Sequence, residues 1–266
     1  MKIAFIGGGV MGEAILSAVL SKGLSTAQTT FVSDVSEARR QYIEQKYCVG
    51  LTNDNWLAAE RGDVVILAVK PQNLAQAMTD LNGRLKPGQL VLSIIAGARI
   101  ETLCRGLNHN YVVRAMPNTP AQIGEGMTVW TATPAVTAEQ KGWAAAILGA
   151  LGNEIHVDDE KYIDMATAVS GSGPAYVFLF IESLVDAGVL IGLPRGMAQE
   201  LALHTLLGSA HFLQKSGKTP AELRNMVTSP GGTTAEALFK FEKGGFTGLV
   251  IEAVLACYEK AKKLGG

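Results

Sequence analysis

The stretch KIAFIGGGVMG at residues 2–12 determines the fold class of this chain. Its apolar first half is typical of a buried strand, and a helical pattern follows at 14–23. Between a strand and a helix, Gly7 permits a tight turn, Gly9 lets a pyrophosphate approach the backbone, and Gly12 permits close helix–strand packing. The amides that begin the helix favour phosphate groups. The stretch therefore predicts a dinucleotide-binding turn, with a glycine-rich turn without a ligand as the alternative.

Strand and helix patterns alternate through the first half of the chain. Strand-like runs stand at 29–34, 63–69, 89–95 and 111–116, and a second helical pattern stands at 38–47. Their near-continuous β-branched character suits strands that are covered on both faces of a mainly parallel sheet. The pattern predicts an α/β, Rossmann-type doubly wound domain over residues 1–160, whose last helices belong either to the domain or to a linker.

Helical patterns rich in alanine and leucine replace the strand-like runs from about residue 137. We therefore expect an all-helical domain over residues 161–266. Its runs at 176–192, 202–213 and 248–261 are apolar on nearly every face, which favours burial between subunits. A monomer with a tightly wrapped central helix is the alternative.

Composition and charge exclude several classes of protein. The 23 basic and 24 acidic residues give no overall attraction for nucleic acid or an anionic membrane. The three cysteines stand far apart with no CxxC pair, so neither a disulfide framework nor a metal site is predicted. Apolar runs are short or, at 181–203, interrupted by charged residues and by Pro194, so no membrane-spanning segment is expected. These features indicate a cytoplasmic protein without nucleic-acid, membrane or metal partners.

The second predicted strand ends at Asp34, about 20 residues beyond Gly12. An acidic group there accepts hydrogen bonds from the adenine ribose, which favours NAD. Arg39 and Arg40 follow, and an arginine near this strand end neutralises the 2′-phosphate of NADP. The two arginines equally fit a solvated helix face. The choice between NADH and NADPH therefore stays open.

Two further strand ends belong to the same carboxyl edge, where open α/β sheets bind their ligands. The residues at these ends are Ala68, Val69, Lys70, Pro71, Ala96 and Gly97. Pro71 ends its strand, and Gly97 permits close approach of another group. Lys70 is either an ordinary exposed lysine or faces the diphosphate or the nicotinamide.

Seven motifs, in this order, resemble one enzyme family closely. They are FIGGGVMGEAI, AVKP, IIAG, RAMPNTPA at 114–121, AVSGSGPAYVF at 168–178, GLPR, and SPGGTT at 229–234. The chain is similar to pyrroline-5-carboxylate reductase, which reduces a cyclic imine to L-proline in the last step of proline biosynthesis. The resemblance covers roughly residues 2–264, and SGSGPAY with SPGGTT is far more specific than the glycine turn.

The resemblance implies a Rossmann domain and a helical domain that interlocks with its twin in a homodimer, with dimers assembled into larger rings, a decamer among them. It also implies hydride transfer from NADPH or NADH to the C=N bond of 1-pyrroline-5-carboxylate. The cofactor-binding positions that it carries over are Gly7, Gly8, Gly9, Val10, Met11, Gly12, Asp34, Asn55, Ala68, Val69, Lys70, Pro71, Ala96 and Gly97. Relatives often have serine or another neutral residue where this chain has Asp34. Because a carboxylate repels a 2′-phosphate, a strict NADPH preference is not expected.

Reduction of a C=N bond by hydride needs neither a nucleophile nor a metal. The substrate also carries a carboxylate, and SPGGTT predicts a turn whose free amides and hydroxyls begin a helix and offer an anion site. By resemblance, Gly232, Thr233 and Thr234 bind the substrate carboxylate. A capping box between Thr233 and Glu236 is the structural alternative for the threonine.

The SGSGP motif predicts another helix start, with Ser172 or Gly173 near its cap and Pro174 in its first turn. In the family this loop lies beside the nicotinamide and the substrate, so Ser172 and Gly173 are expected to contact substrate. The resemblance positions Thr167 to hydrogen-bond the ring nitrogen, and we interpret it as the catalytic proton relay, acting through water. A helical threonine bonded to its own backbone is the alternative. Asn118 either helps to hold the nicotinamide or caps a turn.

Two rival functions fit parts of the sequence. β-Hydroxyacid dehydrogenases have similar N-termini, but they rely on a lysine in the helix after a glycine-rich turn, and the helix after SGSGP has none. A Rossmann protein that senses nicotinamide nucleotides without catalysis needs no second anion-binding helix start, so SPGGTT argues against it.

Overall fold

The computed structural model describes residues 1–264. The chain divides into two compact units: the first comprises Met1–Gly173 with the C-terminal segment from Cys257, and the second comprises Pro174–Ala256. The boundary after residue 160, which the sequence patterns predict, stays a prediction about where the two functional domains meet.

One eight-stranded sheet forms the centre of the first unit. Its strands are β1 (Ile3–Ile6), β2 (Thr30–Ser33), β3 (Gly50–Thr52), β4 (Val64–Leu67), β5 (Leu90–Ser93), β6 (Val112–Pro117), β7 (Gly126–Ala132) and β8 (Gly152–His156). Their order is β3-β2-β1-β4-β5-β6-β7-β8. The first six are parallel and have the strand order of the Rossmann fold, β7 is antiparallel to β6, and β8 is parallel to β7. The predicted doubly wound fold is confirmed.

Helices cover both faces of this sheet. They are α1 (Val10–Ser21), α2 (Glu37–Tyr47), α3 (Asn55–Ala59), α4 (Leu74–Leu81), α5 (Ile100–Leu107), α6 (Ala138–Gly149) and α7 (Lys161–Ala166). In β1, Ile3 and Phe5 pack in a core with α1, α2 and α6, whereas Ala4 and Ile6 pack in a second core with α3, α4 and α5. Because side chains alternate along a strand, burial on both faces explains the near-continuous apolar runs.

The second unit and its flanks are helical, as predicted. After α7, a single π-helical turn, Thr167–Gly171, leads into α8 (Gly173–Leu190). The remaining helices are α9 (Arg195–Ser216), α10 (Pro220–Met226), α11 (Thr233–Lys243) and α12 (Phe246–Leu264). Large apolar side chains stand exposed in this part of the chain, for example Leu179 at 64% and Ile251 at 62%.

The helical stretch 161–190 corrects one expectation. By length and composition it is apolar enough to cross a membrane, and only 6% of its most apolar window is buried within the chain. This length is hidden in the sequence, because SGSGP has the composition of a break between helices. The π-helical turn instead joins α7 to α8 with little interruption. The same properties belong to a helix that a partner subunit covers.

Candidate cofactor and substrate site

The ends of β1 and β4 meet where the strand order reverses, and Gly7 lies at this point. Its φ of 100° is in the left-handed region that favours glycine. A Cβ on Gly7 would lie 2.8 Å from the carbonyl oxygen of Ala68, at the end of β4. The protein's own packing therefore requires glycine at this position.

Gly9 and Gly12 have different reasons to be glycine. A Cβ on Gly12 would lie 2.4 Å from the carbonyl oxygen of Gly7, so the tight turn itself requires glycine there. A Cβ on Gly9 would meet no described protein atom within 4 Å. Gly9 begins α1, and no side chain of residues 1–264 caps its amides. A ligand that needs close backbone approach explains Gly9, whereas a purely structural turn does not.

A cleft of about 570 Å³ opens at this edge of the sheet. Of the predicted cofactor residues it is lined by Gly7, Gly9, Asp34, Asn55, Ala68, Val69 and Lys70. Seven further lining residues were not predicted from the sequence: Ser33, Val35, Ser36, Gln72, Asn73, Gln76 and Ala77. Ser33 ends β2, and Val35 and Ser36 follow it. The other four lie in the 3₁₀ turn and in α4, which follow β4. Position near the carboxyl ends of these two strands is the signal that would have found them.

Asp34 is held by two backbone amides. Its Oδ2 accepts a hydrogen bond from the amide of Gly8 at 2.9 Å, and its Oδ1 accepts one from the amide of Ser36 at 2.9 Å. The carboxylate is thus fixed beside the glycine turn, and each oxygen keeps lone pairs for a further donor. This arrangement suits recognition of ribose hydroxyls.

The two arginines after β2 contact other parts of the protein and do not simply point into solvent. Arg39 lines the cleft, donates through Nε to the carbonyl oxygen of Gly8, and forms an ion pair with Glu13. Arg40 donates to the carbonyl oxygen of Asp34 at 2.6 Å. Both guanidinium groups therefore contact the β2 end or the glycine turn.

Asn55 lines the cleft and links β2 to α4 through hydrogen bonds. Its Oδ1 accepts from the hydroxyl of Ser33 at 2.7 Å, and its Nδ2 donates to Asp80 Oδ2 at 2.7 Å. Asp54 caps α3 by accepting from the amides of Trp56 and Leu57. Asn55 is therefore fixed in orientation between β2 and α4.

Several predicted cofactor residues do not line this cleft: Gly8, Val10, Met11, Gly12, Pro71, Ala96, Gly97 and Asn118. A Cβ on Gly8 would lie 2.5 Å from Ile43 Cδ1, so Gly8 packs against the protein. Pro71 begins a 3₁₀ turn, Pro71–Asn73, which leads into α4. Gly97 has a φ of 75°, and its Cβ position lies 2.9 Å from the side chain of Leu264. In this structure the group that approaches Gly97 closely is therefore the chain's own C-terminal helix.

A second group of predicted residues gathers around the π-helical turn. Asn118 Nδ2 donates to Ser170 Oγ at 3.3 Å, and Asn118 Oδ1 accepts from the amide of Met127 at 2.9 Å. Ser172 Oγ accepts from Cys257 Sγ at 3.3 Å. Asn118 therefore ties the end of β6 to β7 and to the π-helical turn, and it does not cap its own turn with its side chain.

Thr167 occupies the first position of this turn. Its hydroxyl donates to the carbonyl oxygen of Ile163 at 2.8 Å, and its own carbonyl oxygen accepts from the amide of Ser172 at 2.8 Å. The backbone-bonded threonine that was the structural alternative is thus present, and the Thr167 hydroxyl keeps only lone pairs for another group. The predicted helix start is confirmed, since α8 begins at Gly173 with Pro174 in its first turn. The loop expected before it is wrong, because residues 167–171 form a π-helical turn.

The start of α11 lies in the second unit. Gly232, and not Thr233, is its N-cap residue, and no side chain of the described residues caps it. The capping box of Thr233 with Glu236 is therefore absent, because Thr233 already lies inside the helix. Gly231 has a φ of 68°, and a Cβ on Gly232 would lie 2.5 Å from Ser229 Oγ. The backbone of Gly231 favours glycine, whereas a Cβ on Gly232 would require the Ser229 side chain to move. The amides of Thr233 and Thr234, which begin α11, stay open to an anion.

Full-length similarity to proteins named pyrroline-5-carboxylate reductase accompanies this geometry. The chain is 44% identical over 266 residues to the pyrroline-5-carboxylate reductase of Synechocystis sp., covering 100% of this chain and 98% of that protein. It is 38% identical to the Escherichia coli enzyme of the same name, covering 99% of this chain and 98% of that protein. The chain belongs to the pyrroline-5-carboxylate reductase family.

Solved structures and family models agree with this membership. A Plasmodium falciparum pyrroline carboxylate reductase with NADP bound superposes with a TM-score of 0.92 at 33% identity, covering 100% of this chain and 98% of that chain. The model for pyrroline-5-carboxylate reductase dimerisation matches residues 160–264, and the model for coenzyme F420-dependent NADP oxidoreductases matches residues 2–97. Among residues 1–264, no group of three or more His, Cys, Asp and Glu side chains is arranged to hold a metal ion.

Proposed function

We propose that this protein reduces the C=N bond of 1-pyrroline-5-carboxylate with hydride from NADPH or NADH and releases L-proline, the last step of proline biosynthesis. The observation that carries the proposal is a dinucleotide cleft at the strand-order reversal of a chain that matches this family over its full length. Neither rival accounts for both features, and α8 contains no lysine to serve as a hydroxyacid dehydrogenase would use it.

Proline-dependent reduction of NAD⁺ or NADP⁺ at high pH tests this function, because the reverse reaction releases protons. We expect turnover with proline, and oxidation of NADH or NADPH when pyrroline-5-carboxylate is supplied. Turnover of open-chain β-hydroxy acids without turnover of the imine would favour the dehydrogenase. Nucleotide binding with no turnover of either substrate would favour the sensor.

The residues of the cleft fit a dinucleotide. Gly9 and the first amides of α1 bind the pyrophosphate, because no side chain within residues 1–264 caps these amides and the helix dipole favours anions there. Asp34 accepts from ribose hydroxyls, Asn55 lines the adjoining wall, and Lys70 faces the phosphates. A bound nicotinamide supplies the hydride.

Binding of the substrate falls to the helix starts and the π-helical turn. The open amides of Thr233 and Thr234, with the threonine hydroxyls, bind the carboxylate beside Gly232, whose own amide donates to the Ser229 carbonyl oxygen at 3.0 Å. Ser172 and Gly173 contact the flat ring, and Gly173 has open space where its Cβ would stand. Thr167 accepts a hydrogen bond from a water that delivers the proton to the ring nitrogen, since its own proton is directed to Ile163.

The match to a dimerisation family implies a homodimer. Interlocking of the two helical units, and assembly of dimers into larger rings such as a decamer, are further parts of the proposal. The exposed apolar side chains of α8 and α12 support interlocking, since monomers rarely leave such large faces in water. We also propose a cytoplasmic location, which the three free cysteines support.

Asp34→Ser is expected to improve NADPH binding relative to NADH by about 1 kcal/mol or more at moderate salt. The substitution removes a negative charge that opposes a 2′-phosphate and keeps a hydroxyl for the ribose. The ratio of kcat/KM for NADPH and NADH measures the effect. An unchanged ratio would show that Asp34 does not face the ribose.

Thr234→Ala is expected to weaken proline or imine binding by about 1–3 kcal/mol through loss of a charge-assisted hydrogen bond. The dissociation constant of the cofactor should stay within error, because only the carboxylate site changes. Titration calorimetry of each ligand separates the two. Thr228→Ala is a matched control, since that hydroxyl donates to the Arg224 carbonyl oxygen at 2.7 Å. Equal losses for both variants would contradict a specific role.

A further inference from the structure

Five side chains form a polar cluster between α1 and α2, beside the glycine turn. Glu13, in the first turn of α1, accepts from Lys46 at 2.9 Å, from Tyr47 at 2.9 Å and from Tyr42 at 3.1 Å, and it also pairs with Arg39. Burial alone would raise the pKa of Glu13, but the hydrogen bonds of its four partners outweigh it and lower that pKa to about 2. Glu13 is thus a fixed negative charge at neutral pH.

Arg39 reaches from this cluster into the cofactor cleft. It lines the cleft together with Asp34 and Ser36, at the end of β2. Its guanidinium is held by the Gly8 carbonyl oxygen, by Glu13, and by the Tyr42 ring, whose centroid lies 4.8 Å from Arg39 Cζ. The guanidinium is therefore fixed in place and already paired with a carboxylate.

An arginine near this strand end is the usual partner of the 2′-phosphate of NADP. Here a 2′-phosphate meets an arginine that is already paired with Glu13, a carboxylate that also pairs with Lys46, and it also meets the carboxylate of Asp34. We propose that Glu13 is a specificity-determining residue: by holding Arg39 in an ion pair, it makes a 2′-phosphate compete with a carboxylate of the protein and so sets the preference between NADH and NADPH. This inference rests on the proposed function.

Glu13 acts through Arg39, so its effect has a defined signature. Removing the charge of Glu13 frees Arg39 for the 2′-phosphate and therefore strengthens the binding of NADPH. The binding of NADH stays nearly unchanged, because NADH has no phosphate at that position. If Glu13 served only to pack α1 against α2, its loss would affect both cofactors equally. The double variant with Arg39 separates the two cases.

Glu13→Gln keeps the size of the side chain and removes its charge. We expect the ratio of kcat/KM for NADPH to that for NADH to rise about fivefold, carried by a lower KM for NADPH. In an Arg39→Met background the same substitution should leave the ratio unchanged. Glu37→Gln is the matched control, because Glu37 is an exposed acid at the start of α2 whose side chain contacts Gln41. Its ratio should equal that of the wild type.

Thermal unfolding and direct titration with both cofactors accompany the kinetics, and Glu13→Ser provides a second variant in case Glu13→Gln folds poorly. An unchanged ratio in folded Glu13 variants, or a rise that persists without Arg39, would overturn the inference while the proposed function stands. An equal loss of affinity for NADH and NADPH in the Glu13 variants would also overturn the inference. If the wild type binds neither nucleotide, the proposed function fails, and the inference fails with it.

Discussion

Arg114→Met is expected to lower the free energy of unfolding by about 3–5 kcal/mol. Arg114 lies in β6 and is only 2% exposed. Its Nη1 donates to Glu160 Oε1 at 2.7 Å and its Nη2 donates to Asp164 Oδ1 at 2.6 Å. Asp164 is 8% exposed, so loss of the arginine leaves a buried carboxylate without its counter-charge. The cost comes mainly from this uncompensated charge.

Equilibrium denaturation at one fixed protein concentration measures the effect, since assembly contributes to stability. A triple variant, Arg114→Met with Glu160→Gln and Asp164→Asn, should recover much of the loss, because no buried charge remains. For Arg114→Lys, the free energy of unfolding should lie between those of the wild type and Arg114→Met, since one ammonium does not bind two carboxylates as a planar guanidinium does. A loss below about 1 kcal/mol for Arg114→Met would contradict the assigned burial.

Gly9→Val is expected to reduce cofactor affinity more than about 100-fold, which corresponds to about 3 kcal/mol. The valine side chain would stand where a pyrophosphate approaches the first amides of α1. The backbone of Gly9, with φ −64° and ψ −175°, suits any residue, and its Cβ position is open. We therefore expect the protein to fold normally. Titration with NADH and NADPH, beside thermal unfolding without cofactor, measures both properties.

Gly12→Val is the matched comparison for Gly9→Val. Its Cβ would lie 2.4 Å from a backbone oxygen of the turn, so the expected result is a loss of stability even without cofactor. If Gly9→Val also lowered the melting temperature in the absence of cofactor, the glycine would be structural. If its affinity were normal, the pyrophosphate would lie elsewhere.

Much of the sheet could be predicted, because strands buried on both faces carry continuous apolar runs. The five predicted strands are β1, β2, β4, β5 and β6. The other three strands were not predicted, and each omission has a physical reason. Strand β3 has only three residues, β8 is a half-exposed edge strand with polar residues, and β7 follows a region without a strand–helix alternation.

The glycine turn and Asp34 could be placed from spacing alone, because a strand, a turn and a helix fix their positions locally. The pairing of Glu13 with Arg39 could not, since it depends on how α1 packs against α2. The π-helical turn was likewise hidden, because SGSGP contains the glycines and proline of an ordinary loop. Gly97 shows the same limit: its sequence signals a close approach but does not say which group approaches.

The first unit is built from two stretches of the chain that are far apart in sequence, and this affects the order in which its parts are synthesised. All eight strands precede residue 157 and are therefore synthesised first. The segment from Cys257 nevertheless belongs to the same unit, where Leu264 packs against the loop of Gly97. The nucleotide-binding unit therefore completes its native contacts only after the helices between have been synthesised. Translation that stops short of α12 yields an incomplete nucleotide-binding unit, although every strand and the whole glycine turn are already present.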